Sequence, residues 1–252
     1  MTLYLIGLGL ENEKDITLRG LEIIRKCDKI YLESYTSLLQ SSTEELEKLY
    51  GKKVIPANRE TSEQGEEIII KEAKINEIAF LVVGDPLSAT THIELFRLAK
   101  EHNVNIKIIH NASILTAIGE TGLQLYKFGM TTSIPFLEDV PYLEAPYHII
   151  RQNRSLGQHT LALLDLKPEQ NKFMTINQAI TILESIEARK REHLIKDDLL
   201  VVGCARIGTS SAIIKAGPLI NIKKMDFGAP PHCLIIPGKL HFMEEEILNL
   251  WK

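Results

Sequence analysis

The sequence has few residues of the kinds that build metal or disulfide sites. Its 252 residues include only three cysteines, Cys27, Cys204 and Cys233, which lie far apart and form no Cys-x-x-Cys pair. This number and spacing disfavour a disulfide framework and a structural zinc site, and they suit a reducing cytoplasm. We expect all three thiols to be buried packing residues.

The chain also lacks a basic excess and a long hydrophobic run. Its formal net charge is -4 at pH 7, which argues against a general nucleic-acid binder. No apolar run approaches the roughly 20 residues that span a membrane. The short apolar start, Met1 to Gly7, has no basic leader and is typical of a first strand rather than a signal peptide. We expect a cytoplasmic protein that binds neither nucleic acid nor membrane.

Several motifs that carry chemistry are absent. There is no phosphate-binding Gly-x-x-x-x-Gly-Lys-Ser/Thr loop, no Gly-x-Ser-x-Gly and no His-Glu-x-x-His. The run Gly7-Leu8-Gly9 begins like a dinucleotide-binding fingerprint, but Asn12 stands where the third glycine is needed. These absences disfavour hydrolases, metalloenzymes and phosphate-loop nucleotide binders, and we expect no bound metal.

What is present is an alternation of strand-like and helix-like segments along the whole chain. Such alternation predicts an α/β fold with mostly parallel or mixed sheets. A hydrophobic content of 44% over 252 residues is enough for two cores. We therefore predict two α/β domains, residues 1–110 and 111–252. Within them the clearest helix is Thr175–Arg191, and among the strands we expect Lys53–Ile55 and Ala79–Val83.

Five loops follow apolar runs, and we expect some of them to share a ligand-binding cleft. Open α/β sheets bind ligands at the carboxyl ends of their strands. The run Gly84-Asp85-Pro86 supplies a bent backbone and an acidic acceptor without phosphate-binding groups, which favours a ligand with little phosphate. The loops begin, in chain order, at Gly7, Gly84, His110, Leu163 and Gly203, and the last has Gly228–His232 as its expected neighbour.

Three polar residues in these loops have two interpretations each. His92 can act as a base or ligand, although a histidine in the first turn of a helix is more often structural. Arg206 can hold a carboxylate or serve as a structural ion-pair partner. Ser113 can contact a ligand or cap the following helix.

Taken together, the motifs resemble the diphthine synthase family, within the tetrapyrrole-methylase-like class of S-adenosylmethionine enzymes. The run Val83–Pro86 followed by Ala89–His92 carries the resemblance to the class. The segments Gly122–Gly129 (GLQLYKFG) and Pro231–Glu246 (PHCLIIPGKLHFMEEE) resemble this one family, as do Leu5–Leu10 and Glu33–Ser37. The resemblance covers essentially the whole chain.

The resemblance implies two α/β domains in a homodimer, with S-adenosylmethionine bound in the interdomain cleft and S-adenosylhomocysteine as its product. It implies trimethylation of the amino group of 2-(3-amino-3-carboxypropyl)histidine in translation elongation factor 2, because the short chain resembles the archaeal form. Carried over by position, the cofactor contacts are Leu10, Asp85, Ser88, Ser113, Ile114, Leu164, Ala205 and His232. Ser88 departs from the apolar residue expected there, so a side-chain role at this position is not implied.

The resemblance also implies a reaction in which no single side chain is an essential acid or base. The cofactor carries an activated methyl group, and alignment of the reacting atoms is the expected contribution of the protein. Two alternatives remain open: another methyltransferase of the class, acting on a tetrapyrrole or RNA, and a non-catalytic module that senses the cofactor.

Overall fold

A run of five apolar residues forms the strand β4 (Ile78–Val82), and all five are buried. A strand without a polar face needs cover on both sides, as in the parallel sheets of α/β folds. β4 pairs in parallel with β1 (Thr2–Gly7) and with β2 (Lys29–Glu33). The five-stranded sheet has the order β3-β2-β4-β1-β5, with β3 (Ile55–Ala57) and β5 (Asn105–Ile109) at its edges, and every pair is parallel.

Both faces of this sheet are packed. Phe80 and Val82 of β4 belong to one hydrophobic cluster, and Ala79 and Leu81 belong to another. Successive side chains of a strand point to opposite faces, so the two clusters lie on opposite sides of the sheet. The helices that accompany these strands are α1 (Leu18–Ile24), α2 (Thr43–Tyr50), α3 (Glu66–Ala73), α4 (Ile93–Glu101) and α5 (Ile114–Ala117), with a 3₁₀ turn at Glu13–Asp15.

The structure is a computed structural model, and it describes residues 1–33, 38–57, 66–89, 92–140 and 142–252. Parts of three sequence predictions lie outside the described residues: residues 34–37 of the Glu33–Ser37 motif, Thr90 and Thr91 of the Ala89–His92 motif, and residues 63–65 of Glu63–Lys74, a further segment of the predicted alternation. Contacts divide the chain into two units, Met1–Ala117 and Ile118–Lys252. The predicted domains 1–110 and 111–252 stay a prediction.

The second unit contains a mixed sheet with the order β11-β10-β12-β7-β6. Only the pair of β6 with β7 is parallel, and the other pairs in this sheet are antiparallel. Its strands are β6 (Thr132–Ile134), β7 (Thr160–Leu164), β10 (Leu200–Ala205), β11 (Ile213–Pro218) and β12 (His232–Ile236), and β8 (Leu166–Lys167) and β9 (Lys172–Phe173) form a separate hairpin. Its helices are α6 (Ala145–Ser155), α7 (Ile176–Lys190), α8 (Leu219–Ile222) and α9 (Phe242–Leu248), with 3₁₀ turns at Ile118–Thr121, Leu125–Lys127, Pro168–Gln170 and Asn249–Trp251.

Helix α7 shows why the sequence predicted its limits well. Thr175 is the N-cap, and its hydroxyl accepts a hydrogen bond from the amide of Gln178 while the Gln178 side chain accepts from the Thr175 amide. Arg191 ends the helix in a left-handed conformation with φ of 57°. Side-chain capping of this kind fixes where a helix begins. The predicted fold class, α/β with mostly parallel or mixed sheets, is confirmed by these two sheets.

Candidate functional site

In the first unit, the loops that follow β1 and β4 are joined directly through their backbones. The Gly84 amide donates to the Gly9 carbonyl at 2.7 Å, and the Gly9 amide donates to the Gly84 carbonyl at 3.3 Å. Both glycines have positive φ, 81° at Gly9 and 78° at Gly84, a region that other residues rarely adopt. A Cβ placed on Gly7 would lie 2.5 Å from the Gly84 carbonyl oxygen. The two loops can approach this closely because these positions carry no side chain.

Asp85 joins the β4 loop to the end of β5. Its buried carboxylate accepts hydrogen bonds from the Leu87 amide at 3.0 Å and the Ser88 hydroxyl at 3.1 Å on one oxygen. The other oxygen contacts the His110 Nδ1 at 2.7 Å and accepts from the Asn111 amide at 3.2 Å. Burial raises the pKa of the Asp85 carboxyl, but these four donors outweigh burial and hold the pKa below its ordinary value. Asp85 is therefore ionised at neutral pH.

Asn111 closes the arrangement by linking β5 back to β1. Its side-chain amide donates to the Gly7 carbonyl and to the Asp15 carbonyl, each at 3.0 Å. The Asp15 carboxylate in turn accepts from the Leu10 amide at 3.1 Å. The loops after β1, β4 and β5 thus form one hydrogen-bonded cluster at the carboxyl edge of the parallel sheet.

Of the five predicted cofactor residues of the first unit, three lie in this cluster, and Ser113 and Ile114 follow it at the start of α5. Leu10 follows β1, Asp85 and Ser88 follow β4, and Ser113 and Ile114 follow β5. Ser113 is buried and its carbonyl accepts from the Ala117 amide at 2.9 Å, so it begins α5 through its backbone. The Ser88 hydroxyl is bonded to Asp85 within the loop. The structure brings these residues together, and their contact with a cofactor stays a prediction.

The three predicted cofactor residues of the second unit form a row across neighbouring strands. Ala205 at the end of β10 pairs with His232 at the start of β12. On the other side of β12, Cys233 pairs with Leu163 of β7. The antiparallel register therefore places Leu164 beside His232. Leu164, His232 and Ala205 are all buried.

Arg206, next to this row, forms its side-chain hydrogen bonds with groups of the loops around it. Its guanidinium donates to the backbone carbonyls of Ser211 at 3.1 Å, Phe227 at 3.1 Å and Ala229. The Arg206 amide donates to the Pro231 carbonyl at 2.8 Å. Arg206 is thus a structural residue that bonds to carbonyls, not to a carboxylate, and it fixes the loop that leads to His232.

His232 has one ring nitrogen bonded and the other one buried without a partner. Its Nε2 lies 3.2 Å from the carbonyl oxygens of Gly228 and Ala229, so this nitrogen carries the proton and donates. Its Nδ1 is buried and has no hydrogen-bond partner in the described part of the chain. Burial lowers the pKa of His232, although the two carbonyl bonds act in the opposite direction. The ring is therefore neutral, and it offers one buried acceptor.

His92 and the three cysteines are buried. The His92 ring is buried against Phe80, with ring centroids 5.5 Å apart, and burial lowers its pKa to about 4. This supports the structural interpretation of His92. Cys204 and Cys233 face each other across β10 and β12, and all three cysteines are buried, as predicted. No three His, Cys, Asp or Glu side chains among the described residues converge to hold a metal ion.

The two segments that resemble one family in sequence meet at a buried carboxylate in the second unit. Glu244 is fully buried and accepts from the Gln124 amide at 2.9 Å, from the His159 Nε2 at 3.0 Å and from the Lys127 ammonium. Lys127 also donates to the Lys239 carbonyl at 2.8 Å. Residues of the GLQLYKFG segment are thus tied to residues of the PGKLHFMEEE segment. The sequence did not indicate Glu244 as the link between them.

Comparisons with known proteins agree with this geometry. The profile of the tetrapyrrole (corrin/porphyrin) methylase family matches residues 2–222. A diphthine methyl ester synthase from Dictyostelium discoideum is 45% identical over 100% of this chain and 98% of its own length. A diphthine synthase from Methanocaldococcus jannaschii is 45% identical over 98% of this chain and 97% of its own length. A crystal structure of diphthine synthase superposes with a TM-score of 0.90 at 39% identity, covering 100% of this chain and 96% of that one.

The fold and these matches first define the class: an S-adenosylmethionine-dependent methyltransferase. Within that class, the chain belongs to the diphthine synthase family of the tetrapyrrole methylases. The resemblance drawn from the sequence is thereby confirmed. None of the helices in the described ranges is long and apolar enough to cross a bilayer.

Proposed function

We propose that this methyltransferase of diphthamide biosynthesis trimethylates the amino group of 2-(3-amino-3-carboxypropyl)histidine in translation elongation factor 2. The observation that carries the proposal is the 45% identity with named diphthine synthases over nearly the whole chain. The alternative of a non-catalytic binding module has no comparable support, and neither does a tetrapyrrole or RNA substrate.

The residues predicted to hold S-adenosylmethionine fit this cofactor chemically. The cofactor carries hydroxyl and amino donors and no phosphate. The loops of the first unit approach closely through Gly7, Gly9 and Gly84, and these residues have no side chains that would separate a ligand from the backbone. In the second unit, the buried Nδ1 of His232 is an acceptor without a partner among the described residues. A buried acceptor of this kind is costly when unpaired, and a donor of the ligand would satisfy it.

When bound, the cofactor supplies a methyl carbon on a positively charged sulfur, which makes that carbon reactive towards an amine. The contribution of the protein is to position the cofactor and the amine. Asp85 holds the three loops of the first unit in one arrangement, and Arg206 holds the loop that carries His232. Well-oriented reactants gain roughly 7–11 kcal/mol relative to free ones, so alignment alone accounts for a large acceleration.

The proposed number of methyl groups is supported by a comparison of chain lengths. The alignment with the Dictyostelium methyl ester synthase spans 269 positions against 252 residues, so at least 17 positions of that relative have no counterpart here. The alignment with the Methanocaldococcus diphthine synthase spans 250. The chain resembles the archaeal enzyme in length, and on that likeness we propose the trimethylated amine as its product, without a methyl ester. We also propose a cytoplasmic homodimer, as the family resemblance implies.

The experiment that tests the substrate uses methyl-labelled S-adenosylmethionine and a panel of acceptors. The acceptors are elongation factor 2 that carries the aminocarboxypropyl group, the same factor with the modified histidine replaced, a tetrapyrrole and ribosomal RNA. We expect label only in the first acceptor. Label in the tetrapyrrole or the RNA would instead assign the chain to another branch of the class.

A further inference from the structure

The proposed reaction requires that the substrate amine lose a proton before each methyl transfer. Alkyl amines of this kind are largely protonated at neutral pH, since even α-amino groups titrate at about pH 8. Only a neutral amine has the lone pair that attacks a methyl carbon. Each of three successive transfers therefore needs one proton removed from the substrate nitrogen. A base beside that nitrogen would act in every one of them.

The first unit holds a histidine with the geometry of such a base. The His110 side chain is 68% exposed, yet its Nδ1 lies 2.7 Å from the buried carboxylate of Asp85. Asp85 is ionised and can only accept hydrogen bonds. The Nδ1 of a neutral His110 must therefore carry the proton, and its Nε2 must carry the lone pair. No described residue bonds to this Nε2.

The position of His110 also suits the reaction. It directly follows β5, in the same hydrogen-bonded cluster as Leu10 and Ser88, which are predicted cofactor residues. The next residue, Asn111, donates from its backbone to Asp85 and from its side chain to Gly7. An exposed imidazole held at such a cluster is otherwise unexplained, because its packing contributes little to the core.

We propose that His110 takes the proton from the substrate amine through Nε2, and that Asp85 is the residue that positions it. The assignment rests on the proposed function. The amine proton passes to Nε2, and the freed lone pair forms the new nitrogen–carbon bond as the carbon–sulfur bond breaks with its electron pair left on sulfur. The imidazolium then gives its proton to water. This departs from the sequence prediction that no single side chain is an essential acid or base.

The first test removes the proposed base, the Nε2 of His110, but keeps the hydrogen bond from this position to Asp85. In His110→Asn the side-chain amide nitrogen stands near the place of Nδ1 and can still donate to Asp85, but Nε2 is gone. We expect S-adenosylmethionine to bind within twofold of wild type and the first methyl transfer to slow by about 10²-fold in kcat. The matched control is His102→Asn, at an exposed histidine just after α4, and its kcat should be unchanged.

Chemical rescue distinguishes a base from a structural residue, because added imidazole can replace a missing base but cannot repair a structural defect. In His110→Ala, added imidazole should restore transfer, and among substituted imidazoles the rescue rate should rise with basicity. Wild-type kcat in His110→Asn, or a rate loss that appears wholly in cofactor affinity and is not rescued, would overturn the assignment.

A spectroscopic measurement tests the role of His110 independently of the proposed substrate. In the wild-type protein, ¹⁵N NMR of the histidine rings should show His110 with the proton on Nδ1 and the lone pair on Nε2. The opposite tautomer would overturn the assignment whether or not methyl transfer is seen. An inactive wild-type protein with the expected tautomer would contradict only the choice of substrate.

Discussion

At the scale of single residues, the candidate site depends on glycines that let three loops approach one another. Gly9 and Gly84 exchange two backbone hydrogen bonds at positive φ, and Gly7 lies beneath the Gly84 carbonyl. The sequence indicated that Gly84 shapes a bent loop. It could not indicate that Gly7 and Gly84 touch, because 77 positions separate them and their contact depends on the parallel pairing of β1 with β4.

Replacing Gly7 should disturb the site more than the fold. In Gly7→Ala, the new methyl group would lie 2.5 Å from the Gly84 carbonyl oxygen and 2.8 Å from the Asn111 Cβ, so the loops must move apart. Overpacking of this kind costs about 1–3 kcal/mol. We expect a lower melting temperature and at least tenfold weaker S-adenosylmethionine binding by calorimetry. In the control Gly217→Ala the nearest atom is 3.8 Å away, and neither quantity should change. Equal cofactor affinity in both variants would contradict the placement of the site.

A second residue-scale prediction concerns the buried acceptor of His232. In His232→Gln the amide nitrogen can still donate to the Gly228 and Ala229 carbonyls, while the acceptor at Nδ1 is lost. One hydrogen bond contributes about 1 kcal/mol, so cofactor affinity should fall about fivefold with little change in melting temperature. A variant that binds the cofactor as tightly as wild type would show that Nδ1 does not contact it.

At the scale of elements, the buried Glu244 joins the turn Leu125–Lys127 to the start of α9. Burial raises the pKa of Glu244, but the bonds from Lys127, the Gln124 and His241 amides and His159 lower it to about 2. His159 is neutral beside it, because burial lowers its pKa and its Nδ1 accepts from the Gly238 amide at 2.9 Å. A single carboxylate therefore connects three separate parts of the second unit: the segment at Gln124–Lys127, His159 just before β7, and the start of α9.

This network predicts a specific acid sensitivity. The folded-state pKa of Glu244 lies below its ordinary value of 4.5, so its contribution to stability is complete above pH 4.5 and is lost as the pH falls towards 2. Glu244→Gln should lower the melting temperature at pH 7 and flatten the loss of stability between pH 4.5 and 2. As a control, Glu246→Gln alters an exposed neighbour on α9 and should retain the wild-type pH profile. Identical profiles for wild type and Glu244→Gln would exclude the network as a source of stability.

Elements with strong local signals were predictable from the sequence, and elements fixed by distant contacts were not. The buried run at β4 and the capped helix α7 were predicted within a residue or two. The strand predicted at Lys53–Ile55 lies instead at Ile55–Ala57, where Pro56 is tolerated because β3 is at the sheet edge. β11 was missed, since nothing local marks Ile213–Pro218 as the partner of β10. His110 was not singled out as a base, because its carboxylate partner lies 25 positions away.

At the scale of the whole molecule, the two units are both α/β, but they arrange their predicted cofactor residues in different ways. The first builds a parallel sheet and gathers loops at its carboxyl edge, whereas the second aligns three buried residues across a mostly antiparallel sheet. Neither unit contains a familiar catalytic motif. That scarcity is understandable in a methyltransferase, because the donor carries the activated group and the protein supplies alignment and, as we infer, one base.

The most direct measurement is the intact mass of elongation factor 2 that carries the aminocarboxypropyl-histidine, taken after incubation with this protein and S-adenosylmethionine. We predict a gain of three methyl groups, stable to mild base and absent when the modified histidine is replaced. A fourth, base-labile methyl group would contradict the assigned product. No gain at all, with cofactor binding verified by calorimetry, would contradict the proposed substrate.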